Sequence, residues 1–520
     1  MMNWRWGGAA LGVLALGLLA GCAGLPPPAG RVASSAMDPA LPSALASALA
    51  PQAAAHPGLS GIHGLPDGRD AFAARVLLAQ AAQRSLDVQY YIWHGDETGD
   101  LLFEALWLAA GRGVRVRLLV DDNNTGGLDP TLAALDAHPQ IEVRLYNPVL
   151  HRSMRAVNYL TDFGRVNRRM HNKSFTADNQ VSVVGGRNIG NEYFGAGDGV
   201  AFADLDVMAV GAAVPAVSAA FDRYWNSASA YPAAALLGPP PSQPDQHLRL
   251  RFAENRARPA TVRYAEELRN VPFVDAMLQG KLAFEWGRAQ VLADDPAKTL
   301  QPDVSQEVLM LPALAKAIGE PQRRFDLVSP YLVLGEHGTQ SFVDMARRGV
   351  QVRMLTNSLS STDVGAVHAG YAKRRLALLA AGVKLYEIKP SAMADAAQAS
   401  AGRRRLGSSS SASLHAKTFA VDGRHLFVGS FNFDPRSALL NTEMGLVVDH
   451  PLLAGQLVDA LDADLPLIAY EVQLQADGSS LAWIERTPQG EQRHTTEPGT
   501  SWARRLGVSL MSVLPIDWLL

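Results

Sequence analysis

Hydrophobic and polar residues follow each other along this chain with two kinds of spacing, and the two kinds alternate. Runs of apolar, β-branched or aromatic residues predict strands, and apolar residues spaced three and four apart predict helices. In the N-terminal part of the chain this pattern predicts helices over 71–85 and 101–110 and strands over 86–93, 114–120 and 141–146.

The same order of elements returns in the C-terminal part of the chain. Here the pattern predicts strands over 289–292, 325–329, 350–356 and 383–388, with helices over 340–348 and 371–381. Such alternation is typical of a largely parallel sheet with helices on both faces. We therefore predict an α/β fold of two duplicated α/β/α halves, packed about a pseudo-twofold axis.

A proline-rich stretch at 239–244 marks the linker between the two halves. Consecutive prolines interrupt both helices and strands, so neither half is expected to continue through it. The resulting organisation is a first half at 58–235, a linker with its own helices at 236–285, a second half at 286–465, and a C-terminal region at 466–520. This last region departs from the repeat. It predicts a hairpin around Asp477–Gly478, followed by an amphipathic helix.

The apolar residues of that amphipathic helix recur near helical spacing, and they are Trp502, Leu506, Leu510, Leu514 and Trp518. Arg504 and Arg505 border them. Core packing is the commoner reason for such a stripe. An interfacial membrane helix is the alternative, because tryptophan and basic side chains suit the zone between lipid headgroups and water.

One motif, H-x-K-x4-D, occurs once in each half. The two copies supply His171, Lys173, Asp178, His415, Lys417 and Asp422. A glycine and then an asparagine follow each histidine at matching offsets, at Gly185, Asn188, Gly429 and Asn432. A single copy is a weak signal, but two copies with matching downstream residues are very unlikely to arise by chance. On a strand, the histidine and lysine of each copy share one face.

Two histidine–lysine pairs that meet at one interface suit attack on a phosphodiester, an anion with poor leaving groups. One histidine would attack phosphorus and become phosphohistidine. The other would protonate the leaving alcohol and then, as a base, activate the acceptor. Lys173 and Lys417, with the amides of Asn188 and Asn432, would hold the non-bridging phosphate oxygens.

A carboxylate is needed to orient each histidine and fix its tautomer, and Asp204 and Glu443 stand at equivalent places for this role. Asp178 and Asp422 belong to the catalytic motif, but we expect them to brace the backbone rather than touch substrate. Because two lysines supply positive charge, we predict no metal and no cofactor. The acidic pair Asp121–Asp122 could bind a metal, although a turn at a strand end is more usual.

At these residues the sequence resembles the phospholipase D superfamily, and more narrowly the bacterial cardiolipin synthases of the C type. The stretches that carry the resemblance are LDVQYYIWHGDETG, RRMHNKSFTADNQVSVVGGRNIGNEYF, SLHAKTFAVDGRHLFVGSFNFDPRSALLNTEMG and LPIDWLL. The resemblance implies one active site shared by both motifs, with His171 as nucleophile and His415 as acid and base. It also implies phospholipid substrates and transfer of a phosphatidyl group to a lipid alcohol.

The composition restricts the class of protein further. The chain has 520 residues, 48% of them hydrophobic, which suits two sizeable domains. Its net charge of −3 argues against a protein that coats nucleic acid, so we expect no nucleic-acid partner. Nothing in the sequence argues against a monomer.

The N-terminus is typical of a bacterial lipoprotein signal. Residues 1–22 carry Arg5, then an apolar run, and end in Leu19-Ala20-Gly21-Cys22, a lipobox that would be cleaved before Cys22. An uncleaved anchor helix is the alternative. Residues 23–57, rich in proline and alanine, are expected to form a tether without packed structure. This predicts a periplasm-facing lipoprotein, with Ala23 favouring the outer membrane.

Basic residues precede both motifs, as the groups Arg165, Arg168 and Arg169 and Arg403-Arg404-Arg405. They are either solvated loop charges or a surface that attracts anionic lipid.

Three functions compete: phosphatidyl transfer, hydrolysis by a phospholipase D or an exported nuclease of the same superfamily, and a catalytically inactive envelope adaptor. Both motifs are intact, which disfavours the adaptor.

Replacing Cys22 by serine tests the lipoprotein prediction. Because a thiol is the group that receives lipid, we expect Cys22→Ser to be released from membranes or to stay unprocessed, while the parent chain sediments with them. Fractionation and mass measurement of both proteins check this. A Cys22→Ser protein of normal processed mass in the membrane fraction would show that the anchor lies elsewhere.

Overall fold

A computed structural model gives the fold for residues 25–27, 30–197, 201–301, 305–392, 412–487, 489–514, 517 and 520. The predicted lipobox and the arginines at 403–405 lie outside the described residues. Within them, no helix combines the length and the apolarity that crossing a membrane requires.

The first half forms a mixed sheet with helices on both sides. Its elements are α1 Ala44–Ala55, β1 Ser60–Leu65, α2 Gly68–Ala81, β2 Ser85–Ile92, α3 Glu97–Gly111, β3 Arg115–Asn124, α4 Asp129–Asp136, β4 Ile141–Tyr146, α5 Arg155–Thr161, α6 Phe163–Val166, β5 Ser174–Ala177, β6 Val181–Gly185, α7 Asn191–Phe194, β7 Ala201–Ala203, β8 Asp206–Gly211, α8 Val214–Trp225 and β9 Ala230–Pro232. Three linker helices follow, α9 Pro244–Ala257, α10 Pro259–Arg269 and α11 Pro272–Leu278.

The second half repeats this order and then adds a C-terminal region. Its elements are β10 Glu285–Ala293, α12 Met310–Ile318, β11 Arg324–Val328, α13 Gly335–Arg347, β12 Gln351–Asn357, α14 Gly365–Ala372, α15 Arg375–Ala380, β13 Lys384–Ile388, β14 Ala412–Leu414, β15 Thr418–Val421, β16 His425–Gly429, α16 Pro435–Leu439, β17 Met444–Asp449 and α17 Pro451–Ile468. The C-terminal region consists of β18 Ala469–Leu474, β19 Leu481–Thr487, β20 Gly490–His494 and α18 Trp502–Ser512.

Strand pairing follows the same scheme in both halves. In the first half the order is β1-β8-β6-β5-β2-β3-β4-β9, and β2, β3 and β4 are parallel. In the second half the order is β10-β17-β16-β15-β11-β12-β13-β18, and β11, β12 and β13 are parallel. β1 and β10 pair with each other and join the halves into one sheet. The prediction of two duplicated α/β halves is confirmed.

Each half has its own apolar core, and a further cluster of apolar side chains lies between them. In that cluster Val184 and Val207 of the first half pack with Val428 and Leu446 of the second. Burying one such side chain stabilises a fold by roughly 1.5–3 kcal/mol. The two halves are therefore held together by burial, as the shared site requires.

The expectation that residues 23–57 lack packed structure is wrong for its described C-terminal part. The carbonyl of Val32 accepts a hydrogen bond from Arg144 at 2.6 Å, and that of Ser34 accepts one from Arg117 at 3.1 Å. Both guanidinium groups are buried and need acceptors, so this segment packs against the first half. The alanine-rich run that follows forms α1, capped by Ser43.

Two helix predictions in the second half and the C-terminal region also need correction. The helix expected over 371–381 is two helices, α14 and α15, because the glycines at 365 and 370 concealed the start of the first. The apolar stripe on α18 is not core. Trp502, Leu506 and Leu510 are exposed, and Val508 on the other side of the helix is buried.

Candidate active site

Each H-x-K segment lies immediately before a short strand that pairs antiparallel with the first parallel strand of its half. In the first half Ser174 of β5 pairs with Gln89 of β2, and in the second half Thr418 of β15 pairs with Val328 of β11. Both motifs therefore lie at the carboxyl ends of the parallel strands. Ligands of open α/β sheets bind at this edge.

Backbone hydrogen bonds tie each motif to the opposite half. The N–H of His171 donates to the carbonyl of Thr442 at 2.9 Å, and the N–H of His415 donates to the carbonyl of Ala203 at 2.8 Å. In addition, β14 pairs parallel with β7. As a result, each histidine lies beside the segment of the other half that carries its carboxylate.

The two orienting carboxylates are exchanged between the halves. His171 Nδ1 lies 2.8 Å from Glu443 Oε2, and His415 Nδ1 lies 2.6 Å from Asp204 Oδ2. His171 Nδ1 also lies 3.1 Å from the carbonyl oxygen of Ser430, which can only accept. The proton of His171 is therefore on Nδ1, and the lone pair of Nε2 is free for attack.

The two motif lysines are buried cations beside the histidines. Each ammonium donates to the carbonyl oxygen of its own motif histidine, at 2.5 Å in both cases. In the described part of the chain neither lysine has a carboxylate within 4.0 Å. Burial lowers the pKa of Lys173 well below its usual value and that of Lys417 to about 8. An anion bound between them would offset the cost of that burial.

The two histidines differ in their electrostatic surroundings. Burial, then the charges of Lys173 and Lys417, lower the pKa of His171 well below its usual value. Burial and Lys417 also lower the pKa of His415, but there Asp204 opposes the shift. Burial alone would raise the pKa of Asp204, yet His415 and Lys417 outweigh it and hold that pKa at about 2.

Glu443 differs from Asp204 in its environment. Burial raises the pKa of Glu443 to about 7, against the opposing charge of Lys173. Ser430 and Ser437 donate hydroxyl hydrogen bonds to it, and its backbone N–H donates to Asp294 at 2.8 Å. Asp294 is in turn ion-paired with the buried Lys298 at 2.9 Å.

These supporting residues lie outside the repeated motif, so its spacing does not predict them. One signal was available, because Ser430 directly follows the repeated Gly429, where the first half has Gly186 after Gly185. A Cβ on Gly186 would collide with the Asp204 carboxylate. A hydroxyl at this position is therefore compatible with Glu443 but not with Asp204.

Aromatic rings line both sides of the site, and these too were missed. Tyr91 lies edge-on to His171 with ring centroids 5.0 Å apart, and its ring centroid is 5.5 Å from Lys173 Nζ. His415 lies edge-on to Tyr193 at 5.1 Å and stacks on Phe202 at 5.2 Å. These rings exclude water from the histidines, whose side chains are only 9% and 12% exposed.

The two motif asparagines occupy different environments. Asn188 is fully buried; its side-chain oxygen accepts from the backbone N–H of Ile92 at 3.1 Å, and its amide donates to the Tyr193 hydroxyl at 3.1 Å. Asn432 is also buried, but its side-chain oxygen has no hydrogen-bond partner within the described parts of the chain. Asn188 therefore supports the wall of the site, and Asn432 has capacity for a further contact.

The motif aspartates lie at the far ends of their strands. Asp178 accepts from the backbone N–H groups of residues 83–85, and Asp422 accepts from those of residues 322–324. At about 3.3 Å per residue, Asp178 is roughly 16 Å along the chain from Lys173. Both aspartates brace the loops that enter β2 and β11, the position that the sequence analysis gave them within the motif.

Acidic groups near the site are engaged with other side chains. Asp121 accepts from the backbone N–H of Met170 and lies 3.2 Å from Arg169, and Asp122 is paired with Arg152 at 2.6 Å. These contacts assign the acidic pair a structural role. Arg169 is buried, so for this residue neither alternative fits, a solvated loop charge or a lipid-attracting surface.

One cluster among the described residues has the spacing of metal ligands. It consists of His94, Asp96 and Glu192. His94 is paired with Glu192 at 3.1 Å, and Asp96 caps the N-terminus of α3. Because protein partners already satisfy these groups, they provide no separate indication of a bound ion.

The chain is similar to known proteins in both sequence and fold. The family model described as "Cardiolipin synthase, PLD-like domain" matches residues 77–225 and 314–465. The chain is 46% identical to cardiolipin synthase C of Escherichia coli (strain K12), over 92% of this chain and 99% of that protein. It is 31% identical to an uncharacterized protein of Helicobacter pylori, over 87% and 88% of the two chains.

Among solved structures, the fold is similar to the phosphatidylserine synthase of Haemophilus influenzae Rd KW20. The TM-score is 0.51 at 12% identity, and the match covers 79% of this chain and 87% of the other. This likeness supports the fold. The family membership follows from the sequence: the family-model matches over both halves and the 46% identity over 92% of the chain show that the chain belongs to the cardiolipin synthase family of phospholipase D-like enzymes.

Proposed function

We propose that the protein transfers a phosphatidyl group from one membrane phospholipid to the hydroxyl group of another, through a phosphohistidine on His171. One observation carries this proposal: two buried histidines, each hydrogen-bonded to a carboxylate of the opposite half, adjoin two buried lysines that have no carboxylate within 4.0 Å among the described residues. Such a site fits a phosphodiester anion. The likeness to cardiolipin synthase C supports a second lipid as the acceptor.

In the first step His171 Nε2 attacks phosphorus, and the bond between phosphorus and the leaving alcohol oxygen breaks. His415, as an imidazolium stabilised by Asp204, gives its proton to that oxygen. Lys173 and Lys417 balance the negative charge on the non-bridging oxygens. Asn432, with its unsatisfied side-chain oxygen, is placed to contact a group on substrate.

In the second step His415 is neutral and takes the proton of the acceptor hydroxyl. The acceptor oxygen attacks phosphorus, the phosphorus–nitrogen bond to His171 breaks, and His171 returns to its starting state. Neither step calls for a metal or a cofactor, since the lysines supply the charge. The aromatic rings around both histidines restrict water, which favours an acceptor that brings its own apolar surface.

We further propose that the enzyme works at the bacterial cell envelope, held by lipid on Cys22 and facing the periplasm. The lipobox motivates this placement, and Ala23 favours the outer membrane. At a membrane surface lipid acceptors are concentrated, so anchoring would favour transfer over hydrolysis. A monomer suffices for this chemistry, because both halves of the site come from one chain.

An acceptor assay tests the function. On phosphatidylglycerol vesicles, alone and with phosphatidylethanolamine, we expect a cardiolipin-like product with little phosphatidic acid by mass analysis. His171→Ala and His415→Ala should each lower the rate by at least ~10²–10⁴, the usual contribution of one acid–base group. His138→Ala, outside the site, is the matched control. If phosphatidic acid dominates with every acceptor, the enzyme is a hydrolase.

Asp204→Asn tests the assignment of His415 as the acid. The charge of Asp204 raises the pKa of His415, so its removal lowers that pKa and reduces the protonated fraction at a given pH. The alkaline limb of the kcat/KM profile should therefore move to lower pH, and the rate at pH 7 should fall by ~10²-fold or more.

The exposed Asp459→Asn variant serves as the control and should keep the parent profile. A uniform loss of rate in Asp204→Asn, with both limbs of the profile unmoved, would mean that Asp204 supports the structure without tuning His415.

A further inference from the structure

Two segments with exposed apolar side chains border the site, one on each half. On the first half, the segment formed by α5 and α6 connects the carboxyl end of β4 to the motif at His171. Several of its apolar side chains point outward, although Val166 is buried, and Leu160 is 87% exposed. The others in this exposed set are Met154, Tyr159 and Phe163.

This segment is fixed to the loop after β3. Tyr159 donates its hydroxyl hydrogen to Asn123 at 2.7 Å, and Arg152 and Arg155 bind Asp122 and Asp129. Asp129 begins α4, the helix that follows β3. The exposed apolar residues are therefore held rigidly at the carboxyl edge of the sheet, next to the site.

On the second half, α18 occupies the corresponding place. Val508 packs against Leu359, in the loop after β12, and against Ala369 of α14. Arg504 donates to the carbonyl of Thr362 at 3.2 Å. β12 and α14 are the counterparts of β3 and α4, so α18 stands on the second half where α5 and α6 stand on the first.

The apolar face of α18 points away from the protein. Trp502, Leu506 and Leu510 are four residues apart and share one side of the helix, and Trp502 is 72% exposed. Val513 and Leu514 continue this surface and are exposed as well. A contiguous apolar face of this kind on a soluble surface marks an interaction site.

The charge of α18 selects the partner. In the described part of the chain, Arg504 and Arg505 have no carboxylate within 4.0 Å; Arg504 donates to the carbonyl of Thr362, and Arg505 donates to the carbonyl and the hydroxyl of Thr500. A tryptophan and leucines flanked by unpaired arginines suit a surface that is apolar inside and anionic at its rim. A bilayer that contains anionic phospholipid has this composition.

We propose that the exposed apolar faces of α5–α6 and α18 together seat the mouth of the active site on an anionic phospholipid bilayer. The inference rests on the proposed function, because it supplies the route by which a two-chain lipid reaches the histidines without crossing water. Since the two faces come from opposite halves, the pseudo-twofold axis would stand along the membrane normal.

Depth-dependent fluorescence quenching tests the seating without using activity. The full-length protein is reconstituted into phosphatidylglycerol–phosphatidylethanolamine vesicles that contain phospholipids brominated on the acyl chains. We expect the quenched signal of the parent protein to lose a component in Trp502→Phe. Leu160→Trp should add a quenched component, since this residue lies on the other face.

Leu108→Trp is the matched control. Leu108 is 50% exposed, but it lies near the end of α3 that leads into β3, at the edge of the sheet opposite the site. A tryptophan there should not be quenched by brominated lipid. Because this readout needs no turnover, quenching can be observed when the proposed transfer reaction is absent, and transfer can be observed when quenching is absent.

Two results would overturn the inference. If brominated lipid does not quench the fluorescence of Trp502 and aqueous iodide does, the apolar face of α18 stays in water. Protection of Trp502 from iodide that depends on protein concentration, and not on lipid, would assign the face to a second copy of the chain.

An activity comparison provides a further test. The double variant Leu506→Asp with Leu510→Asp should lower turnover on vesicles ~10-fold or more and leave turnover of monomeric short-chain phosphatidylglycerol within ~2-fold.

Discussion

A hydrogen bond from each motif histidine to a carboxylate of the opposite half organises this protein. The Nδ1 atoms of His171 and His415 lie 2.8 and 2.6 Å from Glu443 and Asp204. Leaving one buried partner of such a hydrogen bond unsatisfied typically costs ~1–3 kcal/mol, and more where the group is charged, so the exchange resists separation of the halves. The same exchange is chemically necessary, since it leaves both Nε2 atoms free to meet one phosphate. Each of these contacts needs both halves of the duplicated fold, and together they place one shared site between the halves.

The site departs from its own pseudo-symmetry where the chemistry needs two different histidines. Glu443 is surrounded by two serine hydroxyls and a buried Asp294–Lys298 pair, and burial raises its pKa to about 7. Asp204 stays charged, with its pKa held at about 2. His415 therefore has the firmer support for a positive charge, while His171 is kept neutral by burial and two lysines. This difference fits a division of labour between nucleophile and acid.

The sequence predicted the fold well, because alternation of strand and helix periods is a local signal; the strand at Ile141–Tyr146 matches its prediction at both ends. The motif spacing likewise places His171 and Lys173 together. What the sequence could not specify depends on tertiary contacts. No local pattern tells which histidine Asp204 faces, since the two halves are related by an axis that exists only in the folded chain. For the same reason the stripe on α18 left core packing and an interfacial helix open as alternatives; its apolar side is exposed, which disagrees with core packing.

The central claim is that His171 forms the covalent bond and His415 moves the proton. It is tested most directly with a phosphatidyl ester of a good leaving group, such as a nitrophenol, which needs no acid to depart. With this substrate His415→Ala should accumulate a phosphatidyl adduct, because no base then activates the acceptor. Peptide mass analysis after an alkaline quench should place the adduct on His171, and His171→Ala should form none. An adduct on residue 415 in the His171→Ala protein, or no adduct in His415→Ala despite release of nitrophenol, would contradict the account.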